Sequence, residues 1–432
     1  MWVIDAITPA AGVDRQTDLK PSRRFGFADF GWSKPIDPVT LPAKFTDGTI
    51  RDRRWTMRTI ALVEGYNHVC CRYRIRAFEP AIRASGGSLI IEPLAENVWK
   101  RMAQFHAAAD FDRVILQRKL LDRFQFGILR GRARRLIFDF DDAVLYRDSY
   151  HPRGLHCKRR VDRFQRTVSQ ADAILAGNEF LARTALDHGA DPSRIHLMPT
   201  CVAISTYQPK IVEPRTDRPI ELVWVGSSST LQGIERSAGI WNRLGREIPR
   251  LRLRVIADRF PRFDSLEVLE IRWTEATEQV EIRAGDIGVS VIPDDLWSRG
   301  KCGLKLLQYM ASGLPVVANP VGVHRELIVH GETGFLASTP EEWLDAIRLL
   351  SNDPGLRRRI GERAREFVAR RYSVESRAVD FVAAITGKTL NERAAPAREA
   401  NDHHSPKSAA KARIGERFRP ASGRGGTAQT IQ

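Results

Sequence analysis

Short apolar runs separated by longer amphipathic stretches recur along most of the chain. From Met57 onward the pattern becomes regular, and the first apolar runs are 59–63, 89–91, 113–116, 136–140, 173–176 and 195–198. Stretches with helical spacing lie between them, as in 72–85. Strands that alternate with helices predict a mostly parallel sheet covered by helices on both faces.

The same pattern starts again after the polar, proline-bearing stretch 199–219, which is typical of a linker between domains. The later apolar runs are 221–226, 251–256, 287–292 and 314–318, and the helical stretches 341–350 and 354–371 follow them. The sequence therefore predicts an α/β protein with two Rossmann-like, doubly wound domains that face each other across a cleft. We place these domains at residues 56–205 and 206–372.

The two ends of the chain differ from these domains. Residues 1–55 lack sustained periodicity, and we expect either an extension packed on the first domain or an artefact of an upstream start site. Residues 387–432 are poor in large apolar side chains and rich in Ala, Arg, Gly and Ser. Such a composition cannot bury enough apolar surface to order a chain, so we expect a disordered basic tail.

A candidate phosphate site follows the apolar run 287–292. A polar loop leads there to a predicted helix that starts near Gly303. The start of a helix offers free backbone N–H groups and the positive end of the helix dipole. Arg299, Lys301 and Lys305 lie beside this start in the sequence. The combination predicts a place that binds phosphate.

The residues after this helix start carry a longer motif. Residues 308–318 read QYMASGLPVVA, Gly322 and Glu326 follow, and residues 331–336 read GETGFL. This stretch resembles the donor-binding segment of family 4 glycosyltransferases (glycosyl transferases group 1), which have the GT-B fold. The resemblance extends over about residues 57–385, but its motifs are specific only in the second half.

The resemblance implies how such a protein would work. The C-terminal domain would bind a nucleoside-diphosphate sugar, and the N-terminal domain would bind the acceptor. The final helix, 373–386, would cross back onto the first domain. The family further implies retention at the anomeric carbon, metal-independent chemistry and no cofactor other than the donor substrate.

Several positions depart from the family pattern. The usual Arg and Lys after the glycine at 226 are replaced by Ser227 and a residue near Gln232, and the usual pair of glutamates by Gly300 and Gln308. A diphosphate requires positive charge wherever it sits, so the loop that carries Lys301 is expected to supply it. The predicted donor-binding residues are Gly226, Ser227, Asp295, Arg299, Lys301, Gly303, Lys305, Gln308 and Glu326. Ordinary roles stay open for them: a Ser-rich turn at Ser227, a solvated basic loop, a strand-end cap at Asp295 and a helix-start carboxylate at Glu326.

Three aspartates form the most acidic spot in a basic region. Asp139, Asp141 and Asp142 follow the apolar run 136–140, at the carboxyl end of a predicted parallel strand, where ligands bind in open α/β sheets. Asp141 or Asp142 is the predicted catalytic residue, which would orient the acceptor hydroxyl or take its proton. An acidic cluster also suggests Mg²⁺, but the family resemblance argues against a metal. The alternative is that these aspartates pair with the nearby arginines Arg134, Arg135 or Arg147.

Basic residues also follow the first predicted strand. Arg72 and Arg74 are candidates to bind an anionic acceptor, and the alternative is an exposed face of a helix.

The net charge of +16 is unevenly distributed. Residues 101–170 hold 16 Lys/Arg against 8 Asp/Glu, and residues 388–432 hold 9 against 4. A basic surface attracts polyanions. We favour a lipid-linked or cell-surface polysaccharide acceptor and peripheral contact with an anionic membrane; nucleic acid is not favoured, because the sequence lacks zinc-finger spacing and interleaved aromatic and basic residues. Solvated helices are the other explanation.

Other features predict a cytoplasmic protein, or one peripheral at the inner face of the membrane. No apolar stretch approaches the roughly 20 residues that a membrane helix requires, and the N-terminus does not resemble a signal peptide. Five cysteines without metal-ligand spacing are typical of free thiols in a reducing compartment.

The sequence predicts a glycosyltransferase that uses a nucleoside-diphosphate sugar, and leaves its base, sugar and acceptor open. The alternative is a non-catalytic, glycosyltransferase-like binding or scaffold protein, since the family's Arg, Lys and Glu positions have changed.

Overall fold

The computed structural model describes residues 57–211 and 218–387. The predicted N-terminal extension, and the predicted basic tail from residue 388 onward, lie outside the described residues.

The first half of the described chain forms one parallel six-stranded sheet. Its strands are β1 (Met57–Val63), β2 (Gly87–Pro93), β3 (Arg113–Gln117), β4 (Leu136–Phe140), β5 (Ala173–Ala176) and β6 (Ile195–Leu197), in the spatial order β2-β1-β3-β4-β5-β6. Its helices are α1 (Val69–Arg74), α2 (Glu79–Ala84), α3 (Val98–Ala107), α4 (Arg123–Arg132), α5 (Lys158–Gln170) and α6 (Glu179–Asp187). Every residue of β3, β4 and β5 is buried, because helices cover both faces of the sheet.

The second half repeats this architecture. Its strands are β7 (Ile220–Val225), β8 (Leu251–Ala257), β9 (Glu267–Arg272), β10 (Ile287–Ser290), β11 (Val316–Ala318) and β12 (Gly334–Leu336), in the order β12-β11-β10-β7-β8-β9, and every pair is parallel. Its helices are α7 (Ser228–Arg236), α8 (Ala238–Glu247), α9 (Glu278–Ala284), α10 (Leu296–Arg299), α11 (Leu304–Ala311), α12 (His324–Leu327), α13 (Pro340–Asn352) and α14 (Pro354–Arg371). The two sheets confirm the predicted pair of doubly wound domains.

The last helix returns to the first sheet. In α15 (Val374–Thr386) the ring of Phe381 stacks on Phe78, with 4.3 Å between the ring centroids. Ile385 is buried in the same apolar core as Ile115 of β3. The Val202 N–H also donates to the Tyr372 carbonyl at 3.0 Å just before this helix. Apolar packing and a backbone bridge therefore tie the end of the second half to the first.

Parallel strands place their carboxyl ends on one edge of a sheet. The loops that follow β1, β3, β4, β7, β9 and β10 contribute side chains to a single pocket between the two halves. Among the described helices, none is long and apolar enough to cross a bilayer.

Candidate active site

A pocket of about 420 Å³ lies between the two sheets and receives residues from both halves. Of the predicted site residues, those that line it are Arg72, Asp141, Asp142, Gly226, Ser227, Lys301, Gly303, Lys305 and Gln308. Arg74, Asp295, Arg299 and Glu326 do not line it.

A glycine turn forms one wall of the pocket. β7 ends at Val225, and Gly226 leads directly into Ser227, the residue before α7. A Cβ atom on Gly226 would lie 2.7 Å from Lys305 Nζ and 2.8 Å from Thr230 Oγ1. Only a residue without a side chain fits here, and it lets the backbone approach a ligand closely. The Ser227 side chain does not cap α7, but the Ser228 N–H donates to Asp258 Oδ1 at 2.7 Å, so a carboxylate already lies at this helix start.

The start of α11 forms the opposite wall. Gly303 has φ +68°, a left-handed conformation that glycine adopts without strain. A Cβ at this position would also lie 2.5 Å from Leu327 Cδ1, so the site excludes larger residues. No side chain caps α11, and the first amides of a helix have no intrahelical acceptor. The N-terminus of α11 therefore offers N–H donors and a positive dipole to the pocket.

Lys305 brings an unbalanced positive charge between these two walls. Its Nζ lies 3.2 Å from Thr230 Oγ1 and 4.1 Å from the centroid of the Trp224 ring. Among the residues that the structure describes, no carboxylate lies within ion-pair distance of it. Burial, together with the nearby Lys301 charge, lowers the pKa of Lys305 to about 7. An anion bound here would supply the missing counter-charge and raise that pKa.

Lys301 is the second cation of the pocket, and it is already paired. Its Nζ lies 3.3 Å from the centroid of the Trp297 ring and 3.2 Å from Asp142 Oδ2. The Asn178 side chain donates to the Lys301 carbonyl at 2.9 Å, which fixes this loop of the second half against the first half. Lys301 therefore connects the two halves as well as facing the pocket.

Arg299 and Asp295, which are predicted to contact the donor, lie outside the pocket lining. The Arg299 guanidinium lies outside the pocket and forms an exposed ion pair with Asp294 at 2.7 Å. The Asp295 carboxylate caps α10 by accepting the Ser298 N–H at 2.8 Å. A helix cap and a local ion pair satisfy these side chains, as the alternative for Asp295 proposed.

Gly300 explains why the family's first carboxylate has no counterpart here. A Cβ on Gly300 would lie 2.5 Å from Ala143 Cβ and 2.8 Å from the Ala143 backbone nitrogen. The loops after β4 and β10 are therefore in direct contact, and no side chain fits between them. The sequence shows the missing Glu, but not the contact that excludes it.

Gln308 is buried in a polar network that joins the two halves. Its Nε2 donates to Glu278 Oε1 and, at 3.0 Å, to the Tyr73 hydroxyl. Glu278 accepts both terminal nitrogens of Arg72 at 3.1 Å. The predicted acceptor ligand Arg72 is thus held by a carboxylate of the second half, although it also lines the pocket. Gln308 replaces the second glutamate of the family pattern, and Glu278 places a negative charge next to it.

This network predicts the effect of restoring that glutamate. In Gln308→Glu a second carboxylate would face Glu278 inside the buried network. Like charges at that distance raise each other's pKa, so the variant should lose roughly 1–3 kcal/mol of stability at neutral pH. The folded-state pKa would lie above the unfolded value. The loss should therefore shrink as the pH falls through that raised pKa.

Thermal unfolding of Gln308→Glu between pH 5 and pH 8 measures this effect. The control is Gln279→Glu, an exposed amide in the first turn of α9. An acidic residue is tolerated in the first turn of a helix, so the control should melt close to the wild type. Equal melting temperatures for the two variants would show that Glu278 and Gln308 do not interact as described.

Arg74 is a structural residue, which corrects its predicted role as an acceptor ligand. Its side chain is buried, and Nη2 donates to Asp139 Oδ1 at 2.6 Å and Nη1 to the Met198 carbonyl at 2.8 Å. Asp139 is also buried and accepts Gln117 Nε2 at 2.9 Å. This ion pair holds α1 against the carboxyl end of β4.

Asp141 and Asp142 line the pocket, and their cationic partner is Arg118 rather than the nearby arginines considered from sequence. Arg118 Nη2 lies 2.7 Å from Asp142 Oδ2, and Arg118 Nε lies 3.5 Å from Asp141 Oδ1. Asp142 also receives Lys301. Asp141 Oδ1 is buried and accepts no hydrogen bond from the described part of the chain. This oxygen faces the Arg118 guanidinium, and the Asp141 side chain as a whole is 15% exposed and lines the pocket.

The arginines considered as partners are engaged elsewhere. Arg134 pairs with Asp112 at 3.4 Å, Arg135 donates to the Ile385 carbonyl at 3.2 Å, and Arg147 donates to backbone carbonyls that include that of Arg153, at 3.1 Å.

Glu326 lies on α12, exposed and outside the pocket lining. Its contact with the donor stays a prediction. The neighbouring His324 does line the pocket, and its Nδ1 lies 2.9 Å from the Asn319 carbonyl. Burial and the Lys305 charge lower the pKa of His324 to about 4, so this imidazole is neutral at physiological pH.

A group of three candidate metal ligands lies beside the pocket. Atoms of Glu64, His68 and Cys70 lie within 4.8 Å of one another. Glu64 is paired with Lys119 at 2.7 Å, and the His68 ring caps α1. Burial raises the pKa of the Cys70 thiol to about 12, which disfavours the thiolate that a metal would bind. Existing contacts account for this group without an ion.

Sequence reasoning missed several pocket residues. They are Arg118, Asp258, Trp273, Glu278 and His324. Arg118 carried one signal, because it directly follows the predicted strand 113–116. Glu278 and Trp273 carried none, since they follow β9, a strand that the apolar pattern did not reveal.

Two six-stranded parallel sheets around an inter-domain pocket define the GT-B class, and comparison with solved structures agrees. Sucrose-phosphate synthase from Thermosynechococcus elongatus superposes with a TM-score of 0.61 and 16% identity, over 76% of this chain and 98% of that one. HepE of Anabaena, in complex with UDP and glucose, gives a TM-score of 0.53 and 13% identity over 77% and 100%. At these identities the likeness concerns the fold.

The sequence comparisons are more specific. Residues 276–367 match the family model of glycosyl transferases group 1, which together with the fold supports the predicted relationship to that family. D-inositol 3-phosphate glycosyltransferase of Kineococcus radiotolerans is 29% identical over 243 residues, 48% of this chain and 55% of that protein. N-acetyl-alpha-D-glucosaminyl L-malate synthase of Bacillus anthracis is 42% identical over 76 residues, 17% and 20% of the two chains. The matched segment thus spans about half of the first relative and a fifth of the second.

Proposed function

We propose that the protein is a glycosyltransferase of family 4 type that transfers a sugar from a nucleoside-diphosphate sugar to an acceptor. The observation that carries this proposal is Lys305, without a carboxylate partner among the described residues, beside the uncapped N-terminus of α11. The positive end of a helix dipole and an ammonium without a counter-charge together favour an anion. A diphosphate, which carries charge on both phosphates, satisfies both.

The donor would lie across the second half. Its diphosphate would occupy the space between Gly226 and Gly303, where the absence of side chains lets the backbone approach. Its nucleoside would contact Trp273 and the Glu278–Gln308 pair. Glu278 takes the place of the family's carboxylate in this scheme, since a carboxylate and an amide can both bind the hydroxyls of ribose.

Catalysis would rest on the leaving group and the acceptor. As the bond between the anomeric carbon and the diphosphate oxygen breaks, negative charge grows on the diphosphate. Lys305 and the α11 amides stabilise that charge because they are oriented before the reaction. The acceptor oxygen forms the new bond to the anomeric carbon. Its proton passes to the Asp141 carboxylate, which lines the pocket.

Retention at the anomeric carbon and independence from metal ions follow for this proposal from the family resemblance. The structural neighbour HepE, which is solved in complex with UDP and glucose and with UDP-glucose, supports a uridine nucleotide as the first donor to test. For the acceptor we propose a lipid-linked or polysaccharide hydroxyl.

A second candidate function is a non-catalytic binding protein with the same fold. The observations that favour it are Gly300, pressed against Ala143, and Gln308, already bonded to Glu278. Neither of the two family carboxylate positions therefore offers a carboxylate that could contact a donor sugar directly.

A thermal-shift screen with UDP, GDP and ADP and their sugars tests the proposal. A ligand present at about 100 times its Kd stabilises the native state by about 2.7 kcal/mol. One nucleotide series should therefore raise the melting temperature, and a matching nucleoside should raise it less. No shift with any diphosphate would contradict donor binding.

Transfer or hydrolysis of the stabilising nucleotide sugar separates the two candidates. Release of free nucleoside diphosphate at a rate above the uncatalysed background supports the enzyme. Stabilisation without turnover, over a broad set of sugar acceptors, supports the binding protein.

A further inference from the structure

We propose that the amino-terminal turns of α3, α4 and α5 form a surface that docks on an anionic lipid bilayer. The surface, here called the α3–α5 surface, is defined by Trp99, Lys100, Arg123, Phe124, Lys158 and Arg159. The sequence indicates membrane contact only through the positive charge of the chain. The structure assigns this contact to the α3–α5 surface. The inference rests on the proposed function only in taking the membrane as the source of the acceptor.

Side-chain contacts bring the three helix starts together. Arg101 of α3 donates to Gln125 Oε1 of α4 at 3.2 Å. Arg163 of α5 donates to the Leu120 carbonyl, just before α4, at 3.2 Å. One depression between α4 and α5 is lined by five basic residues, Arg123, Lys158, Arg159, Arg163 and Arg166, and by two acidic ones, Asp122 and Asp162. The three turns therefore form one continuous surface.

Large apolar side chains project from this surface. Trp99 is 82% exposed, Phe124 is 71% exposed, and Val98, beside Trp99, is 53% exposed. Single exposed apolar residues are common on proteins, but two aromatic rings on adjacent helix starts are not explained by packing. Aromatic side chains with an apolar body are favoured at the level of lipid headgroups.

The basic side chains of the surface lack acidic partners. Lys100, Arg123, Lys158, Arg159 and Arg166 form no ion pair with any residue in 57–211 or 218–387. Other arginines of the described chain have carboxylate partners, as in Arg72 with Glu278 and Arg254 with Glu221. Each unpaired cation near an anionic membrane contributes about 1 kcal/mol of attraction. The surface thus combines exposed apolar area with electrostatic attraction to anionic lipids, the two contributions that hold a protein at a membrane interface.

The position of the surface fits delivery of an acceptor. α3, α4 and α5 begin after the carboxyl ends of β2, β3 and β4, which is the edge of the first sheet that carries Asp141. Arg118, the partner of Asp142, lies four residues before the cap of α4 at Asp122. A bilayer against the α3–α5 surface would therefore border the side of the pocket that we assign to the acceptor.

A lipid surface is favoured over nucleic acid by the aliphatic component. Bases stack on aromatic rings, and phosphates pair with arginine, so Trp99 and Arg123 alone fit either polyanion. Val98 offers nothing to a base, but it gains free energy when it leaves water for a bilayer interface.

Co-sedimentation of the full-length protein with lipid vesicles tests the proposal. The vesicles are phosphatidylcholine alone and phosphatidylcholine with about one third phosphatidylserine, an anionic composition of the kind that attracts basic segments. The wild type should bind the anionic vesicles roughly ten times more strongly than the neutral vesicles. Its binding to the anionic vesicles should weaken as the salt concentration rises. Trp99→Ala/Phe124→Ala and Lys158→Ala/Arg159→Ala should each lower partitioning roughly ten-fold.

The matched control is Arg358→Ala/Arg363→Ala, which removes the same charge from the exposed face of α14. All variants keep the basic residues 388–432, so the tail contributes equally. Equal partitioning of the wild type and both surface variants would overturn the proposal. So would equal binding to neutral and anionic vesicles, or tighter binding of a single-stranded oligonucleotide that depends on Trp99.

The outcome is separable from that of the proposed function. Both surface variants should keep the wild-type thermal shift with a nucleoside diphosphate, since neither touches the pocket. A protein that binds vesicles through this surface but responds to no nucleotide would leave the docking surface standing and remove the transferase proposal.

Discussion

Lys305→Met is expected to weaken binding of a nucleoside diphosphate by roughly 100-fold, equivalent to about 2.7 kcal/mol. The lost contact is one between a charged donor and an anion in a partly desolvated site, where such bonds are strongest. The corresponding nucleoside has no phosphate and should bind almost as before. Titration calorimetry with both ligands measures the difference.

Two other lysines serve as controls for this variant. Lys119→Met removes a lysine that is paired with Glu64 outside the pocket lining, and should leave diphosphate affinity unchanged. Lys301→Met should have an intermediate effect, because Lys301 is already paired with Asp142. An equal loss of nucleoside and diphosphate binding in Lys305→Met would mean that Lys305 supports the fold of the pocket instead of the phosphates.

The same residue predicts a pH dependence. Burial and the Lys301 charge hold the pKa of Lys305 at about 7, so the free protein loses this positive charge as the pH rises above neutrality. Diphosphate affinity of the wild type relative to Lys305→Met should therefore fall between about pH 6.5 and pH 8.5. The ratio is needed because a phosphate itself titrates near pH 6. A constant ratio would contradict the assignment.

The free energy of unfolding should change with pH in the opposite direction to the diphosphate affinity. A lysine whose folded pKa lies below its unfolded value costs stability while it is charged in the folded state. Between pH 7 and the unfolded pKa near 10.4 the unfolded chain binds more protons, so stability rises with pH across this window. Lys305→Met should lack that rise.

The fold was predictable from the sequence where strands are buried on both faces. β3, β4 and β5 are wholly buried and correspond to continuous apolar runs. β9 was missed because it is an edge strand in which Glu267, Glu270 and Arg272 alternate with partly buried residues. An alternating, charged edge has no continuous run for a sequence pattern to detect.

The pocket was predictable where its geometry is local. Gly226 follows the end of a strand, and Gly303 precedes the start of a helix. At such positions the glycine itself indicates a backbone that turns or is approached closely. The partners of long charged side chains were not predictable, because they are distant in the chain. Arg74 meets Asp139 across 65 positions, and Arg72 meets Glu278 across 206. Packing within the first half determines the Arg74 pair, and packing between the two halves determines the Arg72 pair.

The predicted catalytic pair, Asp141 and Asp142, can now be separated by experiment. Asp142 contacts two cations, Arg118 at 2.7 Å and Lys301 at 3.2 Å, whereas Asp141 has only a longer contact of 3.5 Å with Arg118. If the Asp141 carboxylate receives the acceptor hydroxyl, Asp141→Asn should reduce transfer by roughly 100-fold or more, within the range for loss of a general base. Donor affinity and melting temperature should stay close to the wild type.

Asp142→Asn is the matched comparison and should behave differently. It removes the charge that balances Arg118 and Lys301 at the contact between the two halves. The free energy of unfolding should therefore fall by about 1 kcal/mol, and the donor affinity should change together with the transfer rate. The measurement is the transfer rate, donor Kd and melting temperature of both variants. Unchanged transfer in Asp141→Asn would remove this carboxylate from the reaction. A parallel loss of stability and donor binding in both variants would instead assign the two aspartates to a structural ion-pair network around Arg118.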